Sequence, residues 1–173
     1  ATDGLGPTFN AIACASCHIN NGRGRPPTDG ETFKSILVRL SVPGEDGHGG
    51  PAPLKAYGGQ LQPLAVAGVT PEGTPIIEWQ TTAGEFADGT PYRLRKPTVR
   101  FENLAYGPLP DELMYSLRVA NPVMGLGLLE SVPSSTLLGL ADADDVDNDG
   151  ISGRMNVVWN PVPESEAPGR FGW

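Results

Sequence analysis

The chain has 173 residues, enough for one domain with a proper core, or for one domain plus a small subdomain. Only 39% are hydrophobic while 23 are glycine and 18 proline, a balance favouring a loop-rich fold whose core is completed by something besides side chains. A net charge of -8 argues against nucleic acid and anionic lipid as partners, and suits a positively charged redox partner protein.

From the amino end, residues 7 to 18 are predicted as a short helix, with Pro7 in its first turn and Phe9, Ile12 and Ala13 on an apolar face. It carries Cys14-Ala15-Ser16-Cys17-His18, a C-x-x-C-H string that holds the only two cysteines. That is the attachment pattern of a c-type haem. Thiols three positions apart on one turn reach the porphyrin vinyl groups, and the imidazole that follows is delivered to one axial face of the iron. The rival is a redox dithiol, which needs a βαβ setting, whereas a loop of Gly, Asn, Arg and Pro follows here. One covalent haem c on Cys14 and Cys17, with His18 as proximal ligand, is therefore expected. A buried porphyrin would supply the apolar volume the composition lacks. Phe9 either packs on its edge or belongs to an ordinary core.

Residues 19 to 30 read as a loop. Pro26 or Pro27 there would present a neighbouring carbonyl to the His18 Nδ1 proton. Arg23 and Arg25 either meet haem propionates or are solvated. Over 31 to 42, Phe33, Ile36, Leu37 and Leu40 fit a helix face, while Ile36, Val38, Leu40 and Val42 alternate as a strand; a strand is favoured for the second half. Pro43 to Pro53 is turn chemistry around His48. A small β region is expected from 57 to 100, with strands at Thr74 to Thr82 and at Tyr92 to Phe101, the latter interrupted by Pro97.

Asp111 then opens a predicted helix with Leu113, Met114 and Leu117 on one face. Gly125 to Val132 and Ser134 to Leu140 follow as two short apolar helices, Ala141 to Gly150 as an acidic loop, and Met155 to Trp159 as a strand. The end, Arg170-Phe-Gly-Trp173, has no helix stop or polar tail and reads as a chain cut short. The expected fold is mainly α, a loop-rich cytochrome c-like haem domain over 1–173 with an inserted small β region.

The other face of the iron has several candidates. Met124 ranks first, because Asn121-Pro-Val-Met-Gly-Leu-Gly127 lets backbone approach a flat cofactor closely. Met114 ranks second, since a Met on the apolar face of a helix more often fills core than binds a metal, and His48 third; Met155 is the remaining thioether. A thioether ligand suits electron transfer, and an open site suits peroxide chemistry. Asp145-Val-Asp147-Asn-Asp149-Gly150 has the D-x-D-x-D-G form of a calcium loop. The twelfth position is Asn156 instead of a bidentate Glu, and Asp142 and Asp144 are compensating carboxylates. The rival is a solvated acidic turn. No segment approaches the ~20 apolar residues of a membrane span. No signal peptide is visible. Because haem is joined to C-x-x-C-H outside the bacterial cytoplasm, a mature periplasmic or otherwise extracytoplasmic protein is expected.

Several strings taken together resemble the bacterial di-haem oxidoreductases, described as putative peroxidases or "thiol oxidoreductases" and related to di-haem cytochrome c peroxidases. They are Leu5-Gly-Pro-Thr-Phe-Asn10 before the haem motif, Gly22-Arg-Gly-Arg-Pro-Pro27 after it, and Tyr57-Gly-Gly-Gln-Leu-Gln62. Phe86-Ala-Asp-Gly-Thr-Pro-Tyr92, Leu104-Ala-Tyr-Gly-Pro-Leu109, Gly125-Leu-Gly-Leu-Leu-Glu130 and Asp149-Gly-Ile-Ser-Gly-Arg154 extend the likeness over nearly the whole chain. The resemblance implies haem attachment at Cys14 and Cys17 and ligation by His18. Arg95-Lys-Pro-Thr98 and Asn121-Pro-Val-Met124 are similar to peroxidase segments lining the distal haem face, but Val123 stands where that relative has a glutamate. A second C-x-x-C-H is missing, so the likeness is to the N-terminal haem domain, and a second haem domain is an implied partner. The functions expected are single-electron transfer, peroxidase catalysis on hydrogen peroxide with Glu85, Glu102 or Glu130 as acid-base group, or simple haem retention by a non-catalytic piece.

Overall fold

The computed structural model describes residues 6–28 and 34–170. Phe33, Leu5 and the terminal Phe171-Gly-Trp173 of the sequence reading lie outside them. The chain divides into two compact units, Ala1–Pro122 and Val123–Trp173.

In the first unit, strand β1 (Thr8–Phe9) precedes a single helical turn, α1 (Cys14–Cys17), and a 3-10 turn at Ile19–Asn21. The helix expected from residue 7 therefore starts seven residues late. Thr8 and Phe9 are drawn into extended pairing with β3 (Leu64–Ala65), and Val66 N–H donates to Pro7 O at 3.0 Å. A β-branched residue after proline favours that state over helix.

Strand β2 (Ile36–Ser41) appears where alternation placed it, with Ile36, Val38 and Leu40 buried on one face. Between it and its partner runs a hairpin of two long strands, β4 (Thr74–Glu85) and β5 (Pro91–Glu102), in register from Thr74↔Glu102 to Glu85↔Pro91. Pro97 does not interrupt it but sits opposite Trp79. In a two-stranded ribbon every second N–H points away from the partner strand, so a proline there removes no ladder bond. Arg95 stacks over the Trp79 ring at 4.6 Å, and Arg100 pairs with Glu78 and Glu102.

The helix expected from Asp111 is instead strand β6 (Met114–Val119), antiparallel to β2. Tyr115, Leu117 and Val119 fall opposite Leu40, Val38 and Ile36. The local pattern allowed either period, and the apolar edge of β2 decided between them. Val38 and Leu61, 2% and 1% exposed, centre a core with Leu40, Leu54 and Tyr57, flanked by Phe101, Leu104 and Leu113.

In the second unit, α2 (Leu126–Glu130) and α3 (Ser134–Gly139) match the two predicted apolar helices. After the acidic loop, β7 (Val157–Asn160) pairs with β8 (Ser165–Pro168), a strand without a sequence signal. Strand makes up 34% of the structure and helix 11%, so the fold is not the mainly α, cytochrome c-like domain expected. Helices of four to six residues, two of them starting just after Gly125 and Pro133, are too short to be stable alone, and long-range strand pairing satisfies much of the backbone instead.

Candidate haem attachment site

The C-x-x-C-H string forms the turn that attachment requires. Ser16 N–H donates to Ala13 O at 3.0 Å and His18 N–H to Cys14 O at 2.9 Å. With Cys14 and Cys17 three apart on that turn, both thiols share one side. Neither is in a disulfide; Cys14 is exposed and Cys17 half-buried. Burial pushes the Cys17 thiol above its ordinary value, and the Cys14 thiol adds to the shift. A redox dithiol needs the reverse, a thiolate stabilised by a positive environment.

His18 is held from behind. Its Nδ1 lies 2.7 Å from Asn121 O, a carbonyl 103 positions away in sequence. A carbonyl only accepts, so Nδ1 carries the proton and Nε2 keeps its lone pair for a metal. The carbonyl is placed by a short backbone relay at the end of the β2–β6 pair. Ala120 N–H donates to Ser35 O at 2.9 Å, and Gly24 N–H donates to Ala120 O at 2.8 Å. Gly24 permits this approach: a Cβ there would lie 2.4 Å from Ser35 Cβ and 3.2 Å from Ala120 Cβ. Asn20 and Asn21, at φ 55° and 58°, turn the chain from the motif towards that contact. The partner expected from Pro26 or Pro27 is thus supplied by Asn121. No side-chain signal marks a carbonyl ligand of this kind.

This donor set fits a c-type haem: two thiols in no disulfide on one turn, and an imidazole whose tautomer leaves Nε2 for iron. Ile12 and Ile19 stand exposed on either side of the motif, apolar surface suited to a porphyrin face. Arg23 and Arg25 are both exposed in the loop that follows.

The distal candidates lie in varied settings. Met114 opens β6 opposite Ser41, so it is on a strand and not on a helix, and it is exposed. Met124 is exposed ahead of α2, and Met155 is half-buried ahead of β7. His48 sits in an exposed turn where its N–H donates to Asp46 Oδ1 at 2.8 Å. Of the acid-base candidates, Glu102 is engaged by Arg100, while Glu85 and Glu130 are exposed.

In the second unit, Asp142, Asp145 and Asp147 each bring a carboxylate oxygen within 4.8 Å of the others. Asp149 is not in that group; its Oδ1 accepts Ile151 N–H at 2.8 Å. The alternation Asp145, Asp147, Asp149 therefore converges only in part, and Asp142 takes the third place. It is positioned by the Asp142↔Gly153 bridge that closes the loop.

The sequence model of the family described as "Di-haem oxidoreductase, putative peroxidase" matches residues 1–173. The chain belongs to this family. No curated protein and no solved structure matches it. The family implies haem, in keeping with the donor set, and it is an oxidoreductase family. Two of the strings on which the resemblance rests meet in the first unit. The Tyr57 hydroxyl donates to Gly107 O at 2.6 Å and accepts Tyr106 N–H at 3.1 Å, and the two tyrosine rings lie 5.7 Å apart. Tyr57-Gly-Gly and Leu104-Ala-Tyr-Gly therefore pin each other beside the core.

Proposed function

We propose that this chain is the haem-bearing module of a di-haem oxidoreductase, passing single electrons through one haem c joined to Cys14 and Cys17 and ligated by His18 Nε2. The observation that carries this reading is the hydrogen bond from His18 Nδ1 to Asn121 O, which orients the imidazole as a metal ligand. Bound haem supplies one-electron chemistry, at a potential set by its axial ligands and burial. The protein's own part is to hold the proton on Nδ1, to fix the ring plane through the Gly24–Ala120–Ser35 relay, and to keep both thiols on one turn. Met124 is the first choice for the second axial ligand, Met114 the second and His48 the third.

The setting is extracytoplasmic, where haem is joined to such motifs, and among the described residues no helix is long and apolar enough to cross a membrane. The partners are a second haem domain and a cationic redox protein, the latter matched to a net charge of -8. The acidic loop takes one calcium ion through Asp142, Asp145 and Asp147, with Asp149 orienting the turn. Adding a chelator should then lower the melting temperature, and Asp145→Asn should abolish that response. An unchanged melting curve would remove calcium.

Intact-mass measurement of protein matured in a c-type cytochrome host should show the added mass of one haem, lost in a Cys14→Ala/Cys17→Ala variant. Bands of a low-spin iron in the oxidised spectrum, altered by Met124→Ala, support electron transfer with Met124 in place. The family description favours a second reading, peroxidase chemistry. High-spin bands that change rapidly on addition of peroxide would select it.

A further inference from the structure

Tyr57-Gly-Gly-Gln-Leu-Gln62 lies apart from the C-x-x-C-H string, and most of it lines a polar depression of about 510 Å³ in the first unit that is wide open to solvent. Glycines 58 and 59 bring bare backbone to the wall, and Gln60 and Gln62 add amides. Besides Tyr57, whose hydroxyl is already bonded on both sides, the ionisable groups of the lining are Glu72 and Arg39.

Glu72 is only 8% exposed. Its Oε1 accepts the Thr8 hydroxyl at 3.1 Å and its Oε2 accepts Gln62 N–H at 2.8 Å. A carboxylate has about four acceptor positions, so half of its capacity is left. Among the described residues it makes no ion pair, although buried carboxylates are ordinarily matched by a cation. Arg39 is the converse, an exposed guanidinium on the same cavity whose side chain has no hydrogen bond or ion pair among the described residues. Its Nη2 passes over Gly59, 3.5 Å from where a Cβ would stand.

A single ligand class answers both groups. We propose that the cavity binds a small zwitterion of the α-amino acid kind, its ammonium against Glu72 and its carboxylate against Arg39. Charge-assisted hydrogen bonds at both ends fix orientation, and a guanidinium fork suits a carboxylate. The Gln60 amide, which has no side-chain hydrogen bond among the described residues, faces what the ligand carries beyond its α-carbon. The inference rests on none of the haem chemistry.

Isothermal titration calorimetry on the full chain, matured in a c-type cytochrome host, tests it with glycine, L-alanine and L-glutamine. Propionate and ethylamine serve as half-ligands. At least one amino acid should give saturable binding, with either half-ligand weaker by roughly tenfold or more. Arg39→Gln and Glu72→Gln should each weaken binding by roughly tenfold or more. Because Glu72 also anchors Thr8, Gly59→Leu provides a second variant. Its Cβ starts at an ordinary contact distance beside the Arg39 guanidinium and its bulk crowds that group, so binding should be lost while the far-ultraviolet spectrum is retained. No saturable heat from any of the three up to about 10 mM, equal binding of a half-ligand, or unchanged binding in Arg39→Gln or Gly59→Leu would overturn the proposal. Absence of Soret absorbance would sink the haem reading and leave these heats unaffected.

Discussion

The two units are held together by different means. The first closes over its own apolar side chains, with Val38, Leu40, Leu54, Tyr57 and Leu61 buried together. In the second, none of the described residues is buried; Leu140 is 77% exposed and Val162 90%. Its order comes from short helices, the β7–β8 ribbon and carboxylate-capped turns such as Val146 N–H on Asp142 Oδ1 at 2.9 Å. Apolar burial organises one part of the chain, and local backbone hydrogen bonding the other. Cooperative stability should therefore reside in the first unit.

Truncation of matched leucines breaks this comparison most directly. Leu61→Ala should cost about 2–5 kcal/mol in denaturant unfolding. Leu140→Ala should stay within roughly 0.5 kcal/mol. Equal losses would mean that the second unit hides a core of its own. A smaller effect is expected from Gly24→Ala, at about 1–3 kcal/mol, because the added methyl meets Ser35 and Ala120. In the haem-loaded protein the same variant should shift the Soret band, since it moves the relay behind Asn121; an unshifted spectrum would detach the relay from His18.

Smaller still is removal of one hydroxyl: Tyr57→Phe leaves Gly107 O and Tyr106 N–H without their partner, at about 1–2 kcal/mol. The least effect concerns pH. Asp46 is held below the usual carboxylate range by the N–H groups of His48 and Gly50, and Asp88 by that of Thr90. A depressed carboxylate contributes above its unfolded pKa, and that contribution fades as pH falls through the lowered folded value. Acid should therefore loosen these two exposed turns only below the ordinary carboxylate range. Side-chain NMR titration giving ordinary midpoints would refute the shift.

Several elements were legible because their signal is local. The C-x-x-C-H spacing, the alternation of Ile36, Val38 and Leu40, the period of Thr74 to Thr82, and the apolar runs of α2 and α3 can be read within one window of sequence. The segment Met114–Val119 was not, since Leu113, Met114 and Leu117 satisfy a helix as well as a strand. The site divides the same way. Cys14, Cys17 and His18 stand out as candidates by residue type and spacing, whereas Asn121 enters through its carbonyl and Gly24 through the absence of a side chain. In the acidic loop, spacing offered Asp145, Asp147 and Asp149 with Asp142 and Asp144 as extra carboxylates, and only the fold shows that Asp142 is the one lying near Asp145 and Asp147.

The sequence by itself determined the family, the C-x-x-C-H spacing at the amino end and the loop-rich character, because residue types, their spacing and the Gly and Pro content are written residue by residue. Only the tertiary structure decided that the chain is built from paired strands, and which carbonyl stands behind His18. It also placed a buried Glu72 and an exposed Arg39 on one cavity. These depend on backbone and side chains far apart in sequence meeting under the constraint that buried polar groups find partners, and no local pattern encodes such meetings.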